Sequence, residues 1–308
     1  MKPPARCTVP RSPSTRRGWL EALRRVAVSV AVLVAIGCGG NRRDPVLRAV
    51  RPADQAWRKR ADPGGLDTAL QAYLNVDQAY PEDSRVLWRL SRMYTMLGDE
   101  SPADAVRHYA TAREFGLRCL MLEPSFAGLV ISRGGRVVPA AAAELTEESK
   151  ECLVWTTIAW TRWVRARGTA GVGLDHAVLS AMGERAAELA GEWGSGRGHY
   201  AHGLALALPP PALSPDLKGA KAAFERAIEA APERYTPKVD LALYVLQPMG
   251  KTDKASAMLR EVAEATIPAD DPEKLEDRHA INRARAALGM EPLPPEAPPE
   301  PEVPAEEG

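Results

Sequence analysis

Two histidines three residues apart, His199 and His202, share a helix face and have the spacing at which two imidazoles can hold one metal ion. No carboxylate or cysteine stands at ligand spacing beside them, so the pair reads as helix packing and no metal or other cofactor is expected. The glycine-rich run GSGRG at 194–198 could cradle a phosphate. It follows a helix, however, and lacks the Lys-Ser/Thr that a phosphate loop requires, so it reads as a helix breaker. Asp270 and Asp271 lack the spaced oxygens and the glycine of a calcium loop and read as a solvated helix start. No set of residues combines a nucleophile with a base, and no enzymatic activity is expected.

The cysteine with the strongest chemical context is Cys38. Residues 1–25 carry seven Lys or Arg against one acid, the apolar run VAVSVAVLVAI follows at 26–36, and Gly37-Cys38 comes next. Eleven residues at the helical rise make about 17 Å, against about 30 Å of bilayer hydrocarbon, so residues 1–37 read as an export signal and not a membrane span. Ala35-Ile36-Gly37-Cys38 resembles the bacterial lipobox, which implies acylation at Cys38 and a durable membrane anchor. Gly39 is not the Asp that retains lipoproteins at the inner membrane, so an outer-membrane anchor facing the periplasm is expected. Arg16-Arg17 also resembles a twin-arginine export motif, and the general or twin-arginine route stays open. Removing residues 1–37 turns 40 bases and 40 acids into 33 and 39, a net charge of −6 that gives no support for nucleic-acid binding. Cys119 and Cys152 both occupy apolar helical positions and could pair or stay as buried thiols.

The aromatic candidates sit on elements that must position them. Trp155, Ala159 and Trp163 form one stripe of a helix opened by the N-cap candidate Thr146, while Thr156, Trp160 and Val164 form another. A helix apolar on two sides is packed between neighbours or lines a cavity. Further on, Ala220, Phe224, Ala227 and Pro232 recur at steps of four, three and five, the mark of the second helix in a tetratricopeptide-type hairpin. Ala69, Tyr73, Val76 and Pro81 repeat those steps, as do Ala112, Gly116, Cys119 and Pro124. The copies stand 43 and 108 residues apart, far from a regular period of about 34, so the hairpins are irregular.

Around these seams the sequence predicts helices near 53–60, 66–79, 83–98 and 101–122, an irregular loop or strand pair at 126–138, then helices from Thr146 and over 174–193, 199–208, 220–232, 237–246, 252–265 and 271–288. Residues 38–53 read as a lipid-anchored tether. Seven Pro and six Glu in residues 291–308 cannot build a core, and 289–308 are expected as a disordered tail. The fold class is all-α: irregular tetratricopeptide-like hairpins in a right-handed α-solenoid, one domain over residues 54–288.

The order of these features resembles the T component of TRAP transporters, the TatT family of lipoproteins. Those features are the Trp155–Trp163 helix, Gly198-His199 with Gly203, the proline-rich loop ending at Leu213 and Asp216, Phe224-Glu225-Arg226-Ala227, Tyr244, and Asn282 with Ala284. One departure is Ser214-Pro215-Asp216, where paired glycines are expected. The resemblance implies a periplasmic helical lipoprotein that associates with a TRAP solute-binding subunit and holds a small apolar or organic-acid ligand in a central channel; a homo-oligomer stays open. Trp155, Trp160, His199, Tyr200 and Tyr244 are then the candidates for ligand or partner contact. The alternative is an outer-membrane adaptor whose concave helical face binds envelope-assembly proteins.

Overall fold

The computed structural model describes residues 44–168, 172–208 and 215–294. Cys38, the export signal, most of the 209–215 loop and the tail beyond 294 lie outside them. Among the described residues there are helices and no strands: α1 Pro45–Arg58, α2 Gly65–Ala79, α3 Ser84–Glu100, α4 Ala105–Leu120, α5 Pro124–Ser132, α6 Lys150–Ala166, α7 Val172–Ala190, α8 Trp193–Leu206, α9 Leu217–Ala230, α10 Thr236–Leu241, α11 Thr252–Ala263 and α12 Lys274–Ala287. Two short 3₁₀ turns, Pro139–Glu144 and Glu147–Ser149, precede α6, and a π-turn over Ala242–Leu246 extends α10. The fold is all-α.

Local chemistry sets the helix starts. Asp83 caps α3 by accepting from the Arg85 N–H at 3.0 Å, and Asp216 caps α9 by accepting from the Gly219 N–H at 2.9 Å. The Thr146 N–H donates to Ser149 Oγ at 3.0 Å, fixing the entry to α6. α1 begins at Pro45, eight residues ahead of the expected Ala53, and runs through Pro52. Its Val46, Val50 and Ala53 are buried with Leu66, Tyr73, Leu90 and Met93 in an N-terminal core. Residues 126–138, expected as a loop or strand pair, are instead helix α5 followed by a non-helical run to the 3₁₀ turn.

Helix follows helix and packs on its neighbour: α2 on α3, α3 on α4, α7 on α8 and α8 on α9. α6 is the centre, touching α3, α4, α7 and α8. Every residue from Cys152 to Arg162 is buried, as expected for a helix apolar on two sides. Close approach of α4 to α6 requires Gly116, where a Cβ would stand 2.4 Å from Thr156 Oγ1. The same two helices are joined by a Cys119–Cys152 disulfide.

The last helix does not simply continue the series. α12 packs on α10 and α11 and also returns to α3. The chain after it turns back: Leu293 N–H donates to Asn282 Oδ1 at 2.8 Å, and Arg285 Nε donates to the Glu291 carbonyl at 2.5 Å. Residues 289–294, expected as the start of a disordered tail, therefore lie along α12.

Candidate functional site

Where α12 meets α3, α6, α8 and α10 it borders a cavity. Trp155, Ile158 and Arg162 face it from one side of α6, because steps of three and four keep them on a single helix face. α3 contributes Thr95, Met96 and Asp99, and α12 contributes Glu276, Asp277, Ala280 and Arg283, with Glu273 just before it. The cavity holds about 70 Å³. At roughly 10–15 Å³ for each water, that is room for about five waters.

The wall from α8 depends on unusual backbone. Gly194, Ser195 and Gly196 have φ of 57°, 65° and 74°, three successive left-handed residues. Ser195 is the one non-glycine with positive φ among the described residues. The Arg197 Nη1 N–H donates to the Gly194 carbonyl at 2.6 Å across this turn. The run at 194–198 therefore breaks the helix, as expected, and in doing so sets Ser195 and Arg197 into the cavity wall.

Charge fills the walls in two layers. In the first, Asp240 is fully buried and accepts from Tyr200 Oη at 2.6 Å and Arg162 Nη2 at 3.1 Å, with Arg283 on its other oxygen. Burial alone would push the Asp240 carboxyl up; the Arg162 and Arg283 guanidiniums reverse that and hold it below the usual carboxylate range. Burial raises the Tyr200 phenol well above its ordinary value, so the hydroxyl stays protonated and donates. Arg283 also donates to Tyr244 Oη at 3.2 Å, and Arg165 stacks on the Tyr244 ring at 3.7 Å.

In the second layer Glu276 bridges Arg60, at 3.0 Å, and Arg92. Glu273 bridges Arg92, at 3.4 Å, and Arg197, at 2.5 Å. Asp277 takes Arg234 Nη1 at 2.7 Å and the Tyr235 N–H at 3.1 Å. Burial pushes Glu273 up, but the Arg197 and Arg92 charges outweigh it and bring its pKa down to about 2. Their side chains are 16% exposed or less, so these pairs are costly to break singly.

Of the residues singled out from sequence, Trp155 and Tyr200 line the cavity and Tyr244 adjoins it through Arg283. Trp160 lies beneath Arg113, whose guanidinium sits 4.1 Å from its ring centroid, and is not part of the cavity lining. His199 is half-buried near Gly191 and is also outside the lining. Cys38 falls outside the described residues. Sequence reasoning missed Arg162, Arg197, Asp240, Glu273 and Arg283. The signal was present: Arg162 interrupts an apolar helix, and Asp240 stands between Val239 and Leu241.

Every carboxylate lining the cavity is engaged by an arginine, and burial pushes the Asp277 carboxyl up to about 6 in spite of Arg234. Among the described residues no cluster of three or more His, Cys, Asp or Glu could hold a metal ion. What the walls offer is fixed polarity in a small space between α3, α6, α8, α10 and α12. No curated protein matches the sequence. A family model described as the TRAP transporter T-component matches residues 97–292, which span all of the cavity wall except its edge at Thr95 and Met96. The match covers well over half of the chain: the protein belongs to the TRAP transporter T-component family.

Proposed function

We propose that the protein is the accessory component of a TRAP-type solute transporter that binds the solute-binding subunit, held at the outer membrane by acylation of Cys38 and facing the periplasm. The observation that carries this reading is the family match over 97–292, which takes in α6 to α12. The Cys119–Cys152 disulfide supports an oxidising compartment outside the cytoplasm. The mode of action is binding: the body presents a helical surface to its partner and a small central cavity to a ligand.

The test is co-purification. The full-length chain, expressed with the neighbouring TRAP subunits, retains the solute-binding subunit on affinity capture, and a labelled fatty acid is incorporated into the wild type but not into Cys38→Ala. Capture of envelope-assembly proteins without any TRAP subunit would overturn the transport role; equal label in both proteins would overturn the anchor.

A further inference from the structure

Helix α5 is held to the body by Phe126 and Val130, both buried, and turns Pro124, Ser125, Gly128, Ile131 and Ser132 outward. A surface helix normally covers its outer face with charge, and this one carries none. Ile131 is 68% exposed, the most exposed large apolar side chain among the described residues, and Leu122 just before α5 and Leu47 in the first turn of α1 are also exposed. α5 closes on a tight turn, with φ of 68° and 81° at Gly134 and Gly135, between the exposed Arg133 and Arg136. Residues 124–143 contain these two arginines and no acid. The patch is therefore apolar and locally positive, in a chain whose expected mature charge is −6.

The place of the patch in the fold indicates what covers it. Asp54 on α1 pairs with Arg89 on α3 at 3.4 Å, and farther along the chain from each of them Arg60 and Arg92 share Glu276, so α1 runs parallel to α3 and the two helices start at one end. α4 runs back against α3: Tyr109 near its start donates to Asp99 at 2.7 Å, and Cys119 Sγ near its end lies 3.5 Å from the Ser84 carbonyl oxygen. α5 follows α4 directly and so lies at the end of the layer from which α1 begins. Cys38 precedes Val46 by eight residues, a reach of at most about 29 Å. An acyl group at Cys38 therefore keeps this end beside the bilayer. We propose that the α5 end of the protein docks on the membrane that holds the anchor, with Ile131 entering the interface and Arg133 and Arg136 pairing with the phosphates of anionic lipid. A single lipid-linked tether restrains distance but not orientation; the α5 patch supplies the second contact and turns the opposite end of the layer away from the lipid. This inference rests on the acylation of Cys38 proposed above.

The experiment uses the acylated full-length chain reconstituted in phosphatidylcholine vesicles with or without about one-third phosphatidylglycerol. An environment-sensitive fluorophore is attached at Ser132→Cys, on the patch, or at Ala103→Cys, between α3 and α4 at the other end of the layer; both positions are exposed, and Cys119 and Cys152 are joined and do not compete for the label. In anionic vesicles the label at position 132 is expected to shift to shorter wavelength and to be quenched by nitroxide-bearing lipid, while the label at position 103 stays in water. Arg133→Ser/Arg136→Ser is expected to lower the ratio of docked to undocked protein about 25-fold, about fivefold for each arginine taken from an anionic surface. Both arginines are exposed, so the variant keeps the fold, and its far-UV circular dichroism is expected to match the wild type. Equal quenching at the two positions, or quenching at 132 that ignores both lipid charge and the arginine substitutions, would overturn the docking. A shift at 132 that grows with protein density and not with phosphatidylglycerol would make the face a contact between copies of the chain, and would overturn it too. Absence of an acyl group on the purified chain would instead strike the anchor itself, and the orientation with it.

Discussion

A carboxylate without solvent contact stays ionised only if its partners outweigh the water it has lost. Asp240 meets that condition through two guanidiniums and a phenol, and those three groups come from α6, α8 and α12. Asp240→Asn keeps the shape but leaves buried Arg162 and half-buried Arg283 with one neutral acceptor. Unfolding in urea is expected to show a loss on the order of 3–5 kcal/mol, the cost of breaking a buried pair from one side; a loss below about 1 kcal/mol would mean that the pairing is not what stabilises this region. Phe224 illustrates the apolar counterpart. It is fully buried against Tyr200, ring centroids 6.0 Å apart, with Gly203 directly beneath. Phe224→Ala is expected to cost about 3–5 kcal/mol, read as a lowered midpoint at unchanged slope. The two residues differ in how plainly the sequence announced them. Phe224 sits in a small-aromatic-small seam that helical periodicity detects, whereas periodicity counts a charged residue as outward-facing and passes over Asp240 and Arg162, which are 0% and 6% exposed.

Seams of small and large residues determine which helix faces meet, and that much of each element was legible. The nine non-proline residues of the three spaced seams, from Ala69 to Ala227, are buried, while Pro81, Pro124 and Pro232 are exposed. The helices lost in the sequence were those whose punctuation misleads. α1 contains Pro52, which reads as a breaker, yet the helix continues through it. α5 has nine residues, too few for a 3.6-residue period to declare itself beside Gly134 and Gly135. The disulfide was open for a related reason: apolar spacing put Cys119 and Cys152 on buried faces but could not tell that α4 and α6 face each other there. Because it closes a loop over a sequence separation of 33, it restricts the unfolded chain. Loop entropy gives about 3–4 kcal/mol. Thermal unfolding with and without reductant is expected to differ by that amount in the wild type and to coincide in Cys119→Ala/Cys152→Ala; coincidence in the wild type would show that the bridge does not stabilise the fold.

At the scale of the molecule, a stack of helix pairs need not bring its ends together, and here α12 does so by placing acids against arginines far away in sequence. Glu276 reaches Arg60 on the α1–α2 connection and Arg92 on α3, while Glu273 joins Arg92 to Arg197 on α8. None of these pairings could be read from local patterns, since each links residues 76 or more positions apart. The arrangement makes closure sensitive to acid. The pKa of Glu273 is lowered from its ordinary 4.5 to about 2, so the folded state favours the ionised form more than the unfolded chain does. Its contribution is therefore complete above about pH 4.5 and disappears as pH falls through 2. A displacement of that size corresponds to a contribution on the order of 3 kcal/mol. The stability of wild type relative to Glu273→Gln, measured by urea unfolding at pH 7, 4 and 2.5, is expected to be constant above pH 4.5 and to narrow steadily below it. High salt is expected to change this difference little, because the pair is screened by protein and not by solvent. A difference that is flat from pH 7 to 2.5 would mean that Glu273 is not held ionised by Arg92 and Arg197, and that α12 is kept in place by its apolar residues Leu275, Ala280, Ile281 and Ala284 alone.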